Sequence, residues 1–326
     1  MNRTVKAVAV LLGAGASLLA AGSAGAQAFP SKPIKIVIPF VAGGSSDIVG
    51  RAIGSKFQEF LGQPAVVENK PGANGSIAAE FVAKSDPDGY TVLVGSIGVF
   101  SINAALFKDL RYSPVRDFAP ITLAVTTPNV LIGRPDLPAG TMKELVEFAK
   151  KNPGKLSYCS SGTGSSDHLT GEVFKQGAGV SAVHVPYKGG AACQTDIMGK
   201  QIDISFQNLG AVTNYIKAGK MKALAVTASA RNPQIPNVPT AGEAGFPDLV
   251  VTSWQAAAAP AKTPREVVAR LNDAMVRTLR APEVRERMTQ IGFDVVAGTP
   301  EEFGQFMKAE VERWTKVVER GGIKAE

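Results

Sequence analysis

Strand-like and helix-like apolar patterns alternate along almost the whole chain. The run Pro33–Phe40 is apolar except for Lys35 and predicts a buried strand. After a Gly/Ser loop, Ile48, Val49, Ala52, Ile53, Phe57, Phe60 and Leu61 share one face of a helix, and Gly62 supplies its stop. Residues 65–68 predict a second strand, 76–84 a helix and 91–94 a third strand. This βαβαβ order implies a parallel sheet with helices on both faces.

A similar unit opens near residue 141, where Thr141 and Glu144 form a capping-box pattern and Pro153-Gly154 ends the helix. Strands are expected at 155–159, 182–185, 202–206 and 222–227, with helices near 167–176, 190–198 and 210–218. Two further extended apolar runs, 129–133 and 250–257, lie where the chain would enter and leave this unit. The C-terminal part reads as helical. Thr263-Pro264-Arg265-Glu266 and Thr299-Pro300-Glu301-Glu302 each combine an N-cap, a proline at N1 and a glutamate at N3. After the second, Phe303, Phe306, Met307, Val311, Trp314, Val317 and Val318 make an apolar stripe that Gly321-Gly322 terminates. The expected fold is α/β with two lobes, residues 29–128 plus 252–326 and residues 129–251, joined by two crossover strands that form a hinge.

Composition adds a location. Arg3 and Lys6 precede an apolar stretch over 7–22 that glycine and serine interrupt, and Ala24-Gly25-Ala26 is a cleavage site, with Ala26-Gln27-Ala28 as a second option. Residues 1–26 therefore read as a signal peptide that sends a soluble protein to the periplasm, since no later apolar run is long enough to span a bilayer. The remaining 300 or so residues, in a chain 45% hydrophobic and 19% charged, suit two cores. The formal net charge of +7 falls by the two charges of Arg3 and Lys6 on cleavage. The remaining Lys and Arg are scattered, which argues against nucleic acid as a partner and leaves a field that favours anionic solutes.

Cys159 and Cys193 are the two cysteines, and in an exported chain the pair reads as a disulfide. Cys159 ends one strand and Cys193 opens a helix that follows a neighbouring strand. His168 and His184 have no second His or Cys at metal-ligand spacing, so neither a metal nor an organic cofactor is expected. Nothing points to an enzyme. No G-x-G-x-x-G, P-loop or nucleophile-elbow pattern occurs. Ser161, Asp167 and His168 lie close together in sequence, which by itself gives no triad geometry.

Two loops carry the binding reading. Residues 40–47 (Phe-Val-Ala-Gly-Gly-Ser-Ser-Asp) and 160–167 (Ser-Ser-Gly-Thr-Gly-Ser-Ser-Asp) share Gly-Ser-Ser-Asp, and each copy follows the first strand of its lobe and opens a helix. Glycine lets the backbone approach a ligand closely, and the first free N–H groups of a helix favour an anion. Plain capping by Ser and Asp explains one such loop equally well; two, one per lobe, favour an anion clamp. The N–H groups near Gly43, Gly44, Gly164 and Ser165, and the hydroxyls of Ser45, Ser161, Thr163 and Ser166, are its candidate donors. Further cleft candidates are Gly95 to Gly98 with Ser96, Tyr187 with the 188–190 backbone, and the amides of Gln207 and Asn208.

Several segments in order resemble the tripartite tricarboxylate transporter substrate-binding family, or Bug receptors: Pro30–Ile34, the loop Pro39–Asp47, Val67–Gly75, Asp86–Thr91, Ser160–His168, His184–Gly189, Asn237–Thr240 and Glu243–Gly245. The resemblance covers the whole mature chain. It implies a type II-like periplasmic binding fold, two doubly wound sheets joined by crossover hinge strands, closing on a small organic mono- or dicarboxylate. It implies that the two loops hold the carboxylate, which brings in Phe40, Ala42, Asp47 and His168, and that a membrane permease pair receives the ligand; the receptor itself is expected to be a monomer. A sensor that presents the same ligand to a membrane signalling partner would share fold and site. The cysteine pair departs from the family pattern.

The exported chain is expected to begin at Gln27 or Phe29 and to be recovered in soluble form from the periplasm. Intact-mass measurement checks this, and a retained Met1 with membrane association would refute it.

Overall fold

A computed structural model describes residues 29–324; the signal-peptide reading of 1–26 lies outside the described residues. In chain order the elements are β1 (Ile34–Ile38), α1 (Ser45–Gly54), α2 (Phe57–Leu61), β2 (Ala65–Asn69), α3 (Ser76–Ala83), β3 (Thr91–Ser96), α4 (Asn103–Leu106) and β4 (Phe118–Gly133). There follow α5 (Met142–Lys151), β5 (Leu156–Ser160), α6 (Ser166–Ala178), β6 (Ala182–Pro186), α7 (Gly190–Met198), β7 (Ile204–Asn208), α8 (Leu209–Lys217) and β8 (Lys222–Val226). The chain closes with β9 (Thr252–Pro260), α9 (Arg265–Arg280), α10 (Pro282–Gln290), β10 (Asp294–Val295) and α11 (Pro300–Gly321).

The strands form one curled sheet in the order β2-β1-β3-β9-β4-β7-β5-β6, with β8 and β10 also on β4. The sixteen-residue β4 belongs to both ends of it. From Phe118 to Pro128 it runs antiparallel to β9, and from Asn129 to Gly133 it runs antiparallel to β7 on one edge and, from Val130, to β8 on the other. The expected parallel order holds within β2-β1-β3 and within β6-β5-β7. It fails at the crossings: β9 is antiparallel to β3 and β4, because β4 and β9 carry the chain in opposite directions between the two ends.

Helices cover both faces of this two-lobed fold. One core lies among Val37, Leu93, Phe100, Trp254, Phe303 and Trp314. Two more lie around β5 and β7, one with Tyr158, Phe174 and Phe206, the other with Cys159, Cys193 and Ile197. The α11 stripe is anchored by a polar group: the buried Glu310 accepts from the indole N–H of Trp254 (2.9 Å) and of Trp314 (3.2 Å). Gly50 marks the closest approach of α1 to the sheet, where a Cβ would stand 2.4 Å from Ile38 Cδ1.

Three local expectations need correction. The helix expected over 48–61 is two, α1 and α2, because Ser55 turns its hydroxyl and its N–H to the Ala52 carbonyl and tightens the turn there. Gly62, left-handed at φ 76°, ends the second piece as expected. Thr263 does not cap α9; the helix begins at Arg265 after Pro264, so the hydroxyl is out of phase with the first free N–H groups. Thr141 accepts from Glu144 N–H, but the Glu144 carboxylate goes to Gly140 N–H (2.6 Å), so that capping box is half formed. Thr299 and Glu302 form theirs fully.

Cys159 and Cys193 are bonded, with Cα atoms 5.8 Å apart and both side chains buried. The bond ties β5 to α7 across 34 residues. Its reduction, or replacement of both cysteines by serine, should lower unfolding stability by about 3–4 kcal/mol on the chain-entropy account. Denaturant unfolding with and without reductant measures this, and coincident midpoints would refute it.

Candidate functional site

Four helices begin at one small pocket between the ends of the two sheet halves. It is lined by Gly44 and Ser45 where α1 starts, by Ser165 and Ser166 where α6 starts, by Gly190, the first residue of α7, and by Asn208, the N-cap of α8. The first N–H groups of an α-helix have no partner within the helix, and its aligned peptide dipoles place roughly half a positive charge at that end. Here four such ends converge. Ser46, Ser96, Ser161 and Ser253 add hydroxyls, and Gln194, Gln207 and Gln255 add carboxamides. The lining contains no Lys, Arg or His; Asp167 is its one ionisable side chain, with Phe40 and Ala211 completing the wall. The cavity measures about 30 Å³.

The lining is braced by its own hydrogen bonds. Ser46 donates to Gln255 (2.6 Å), Gln194 to Gln207 (3.2 Å), and Asn208 to Asn129 (2.6 Å) at the point where β4 changes partners. Asp167 is buried and its Oδ2 accepts from Ser161 N–H (2.7 Å), Ser161 Oγ (2.8 Å) and Gln207 Nε2 (2.8 Å). Burial raises its pKa, and the hydrogen bonds of Ser165 and Ser161 only partly oppose this. Asp47, at the same place in the first loop, accepts from Gly43 N–H (2.9 Å), Arg51 Nε (3.0 Å) and Asn69 Nδ2 (3.0 Å). Burial pushes that carboxyl up, but these partners outweigh it and leave the pKa lowered.

Of the residues singled out from the sequence, Phe40, Gly44, Ser45, Ser96, Ser161, Ser165, Ser166, Gly190, Gln207 and Asn208 line the pocket. Ala42 and Gly43 face solvent, and Asp47 organises its own loop. Thr163 and Tyr187 line a separate open groove of about 1110 Å³ beside residues 105–111. The Tyr187 hydroxyl donates to Asp196. Gly164, at φ 89°, lies outside the pocket and packs on Asn74 and Asn103, where an added Cβ would stand 3.0 Å from Asn74 Nδ2 and 3.1 Å from Asn103 Oδ1. Of the two glycines in the first loop, Gly43 has the left-handed torsion (φ 86°), and Gly44 is extended at φ −81°, the ordinary torsion of an N-cap. Gln194, Ser253 and Gln255 were not anticipated. A signal existed for Gln255, a carboxamide inside the apolar run Trp254–Ala259, because a buried amide requires a partner.

The chain matches the family model described as tripartite tricarboxylate transporter family receptor over residues 49–323. It belongs to that family. Solved structures agree. The periplasmic binding protein BugD is 37% identical, with a TM-score of 0.88 over 91% of this chain and 100% of that one. A Rhodopseudomonas palustris protein solved with adipate, Rpa4515, is 34% identical, with a TM-score of 0.88 over 91% and 99%. MatC from the same organism, solved with bound malate, is 34% identical, with a TM-score of 0.86 over 89% and 100%.

His168 supports the second receptor loop from behind. Its ring stacks on that of His184 at 4.3 Å, and its Nδ1 accepts from Gly164 N–H at 3.2 Å. Burial, then the His184 charge, pushes its pKa down to about 4 from 6.5. Well above pH 6.5 the ring is neutral in both folded and unfolded chains. As pH falls toward 4, the unfolded chain takes up a proton that the folded one resists, and up to about 3 kcal/mol of stability is lost. His168→Gln should flatten this part of the profile relative to wild type. Denaturant unfolding across that pH range tests it, and parallel profiles would refute it.

Proposed function

We propose that this protein is a periplasmic receptor that captures a small organic mono- or dicarboxylate between its lobes, performs no chemistry on it, and delivers it to a tripartite tricarboxylate-type permease. The observation that carries the reading is the convergence of four helix N-termini on a pocket with no basic side chain. Such a site neutralises an anion by oriented N–H and O–H dipoles. The adipate and malate held by two structurally similar proteins support the ligand class, the export signal supports the periplasm, and the family supports the permease.

In this reading the lobes divide at 128/129 and 251/252, where β4 changes partners and β9 begins. A cavity of about 30 Å³ is far below the roughly 300–1,000 Å³ of ordinary ligand pockets, so the lobes must part to admit a dicarboxylate. Closure then brings residues 40–44 onto 188–191, where Val41 N–H meets Lys188 O at 3.4 Å, and Gly164 onto Asn74. A ligand touching both sides binds the closed form better and shifts the population toward it.

Calorimetry against a carboxylate panel that includes malate and adipate tests the proposal. Ser166→Ala should weaken binding roughly ten- to a hundredfold, the worth of one hydrogen bond to a charged group. Gly164→Val should do more, because it violates a positive φ and collides with Asn74 and Asn103 on closure. Gly44→Val should crowd Gly190 across the pocket. Amide analogues should lose most of the affinity. Equal binding of acid and amide, or wild-type affinity in both glycine variants, would place the site elsewhere.

A further inference from the structure

A pocket suited to an anion has an acid as its one ionisable side chain. The two Gly-Ser-Ser-Asp loops differ at that point. Four residues after Asp47 stands Arg51, whose Nε lies 3.0 Å from both carboxylate oxygens. Four residues after Asp167 stands Gly171, and no side chain fits there, because a Cβ would be 2.6 Å from the Tyr158 ring. The second loop therefore repeats the acid without its counter-charge. Asp167 is 2% exposed and lines the pocket, whereas Asp47 turns away from it.

Among the described residues, no other titratable side chain lines the pocket with Asp167. On α6, His168 stacks on His184, and Glu172 is held by Lys175 and Tyr158. On α7, Asp196 is engaged by Tyr187; on α1, Asp47 is engaged by Arg51. The faces that α8, β3, β7 and β9 turn to the pocket carry only neutral side chains.

A ligand carboxylate seated here is a second negative charge beside the first in a water-poor space. Two carboxylates in such a site do not both stay ionised at low cost; they hold one proton between them. We infer that capture of a carboxylate by this pocket takes up one proton from solvent, carried on Asp167, so that Asp167 and the ligand carboxylate seated beside it together hold one negative charge. The inference rests on the carboxylate reading above. The direction of the Asp167 shift, upward through burial, agrees with it. Affinity should then fall about tenfold per pH unit as pH rises between the free and liganded titrations of Asp167.

The test is calorimetry of the mature protein with malate and with adipate, in buffers of different ionisation enthalpy, at pH values where both free anions are fully ionised. Uptake approaching one proton per ligand is expected, with uptake lost and affinity independent of pH in Asp167→Asn. A residue that only braces the loop would change affinity without changing proton uptake. Carboxyl-carbon NMR on aspartate-labelled wild type needs no variant: one resonance should move to its protonated position on adding either anion. Binding without proton uptake, or uptake that persists in a folded Asp167→Asn, overturns the coupling alone. No heat and no resonance change with either anion overturns the carboxylate reading and the coupling with it.

Discussion

Every buried amide and carbonyl of β4 needs a partner, and meeting that need along sixteen residues places the rest of the molecule. The strand is paired along one stretch with β9 and β10 and along the next with β7 and β8. A single run of hydrogen bonds thereby sets the direction of both sheet halves. The exchange at Pro128-Asn129 is closed by polar side chains: Asn129 donates to Thr170 at 2.9 Å, and Thr227 donates to Val251 O at 2.7 Å. The two crossings of the chain thus lie side by side under the pocket.

From that placement the chemistry of the pocket follows. The helices that follow β1, β5, β6 and β7 start beside the same pocket, and their first residues line it. The charge that results is distributed and fixed to the backbone. Unlike a single arginine, it imposes no one bidentate geometry on an anion. It also leaves Asp167 without a counter-ion. The pocket thus joins four helix N-termini, which suit an anion, to walls contributed by Gln194, Gln207, Gln255 and Phe40.

Much of this was legible in the sequence because it is local. The alternation of apolar patterns located nearly every strand and helix, and the repeated Gly-Ser-Ser-Asp marked two helix starts that do meet at the pocket. The errors were also local. Thr263 and Ser55 can each cap or interrupt a helix, and which they do depends on hydrogen bonds one turn away. Gly43 and Gly44 are indistinguishable as letters, although only Gly43 adopts a left-handed torsion.

What the sequence by itself determined is the order of elements, the export signal as a reading, the family, and the two loops, since periodicity and short motifs encode neighbours along the chain. Only the tertiary structure decided which groups face inward. It turned Thr163 and Tyr187 to an outer groove, gave Asp167 to Gln207 forty positions on, and brought Gln255 to Ser46 from 209 positions away. The physical reason is that a pocket between two sheet halves is assembled from residues distant in sequence. Their side-chain directions depend on strand register and helix phase, and on a partner exchange in β4 that no local pattern records.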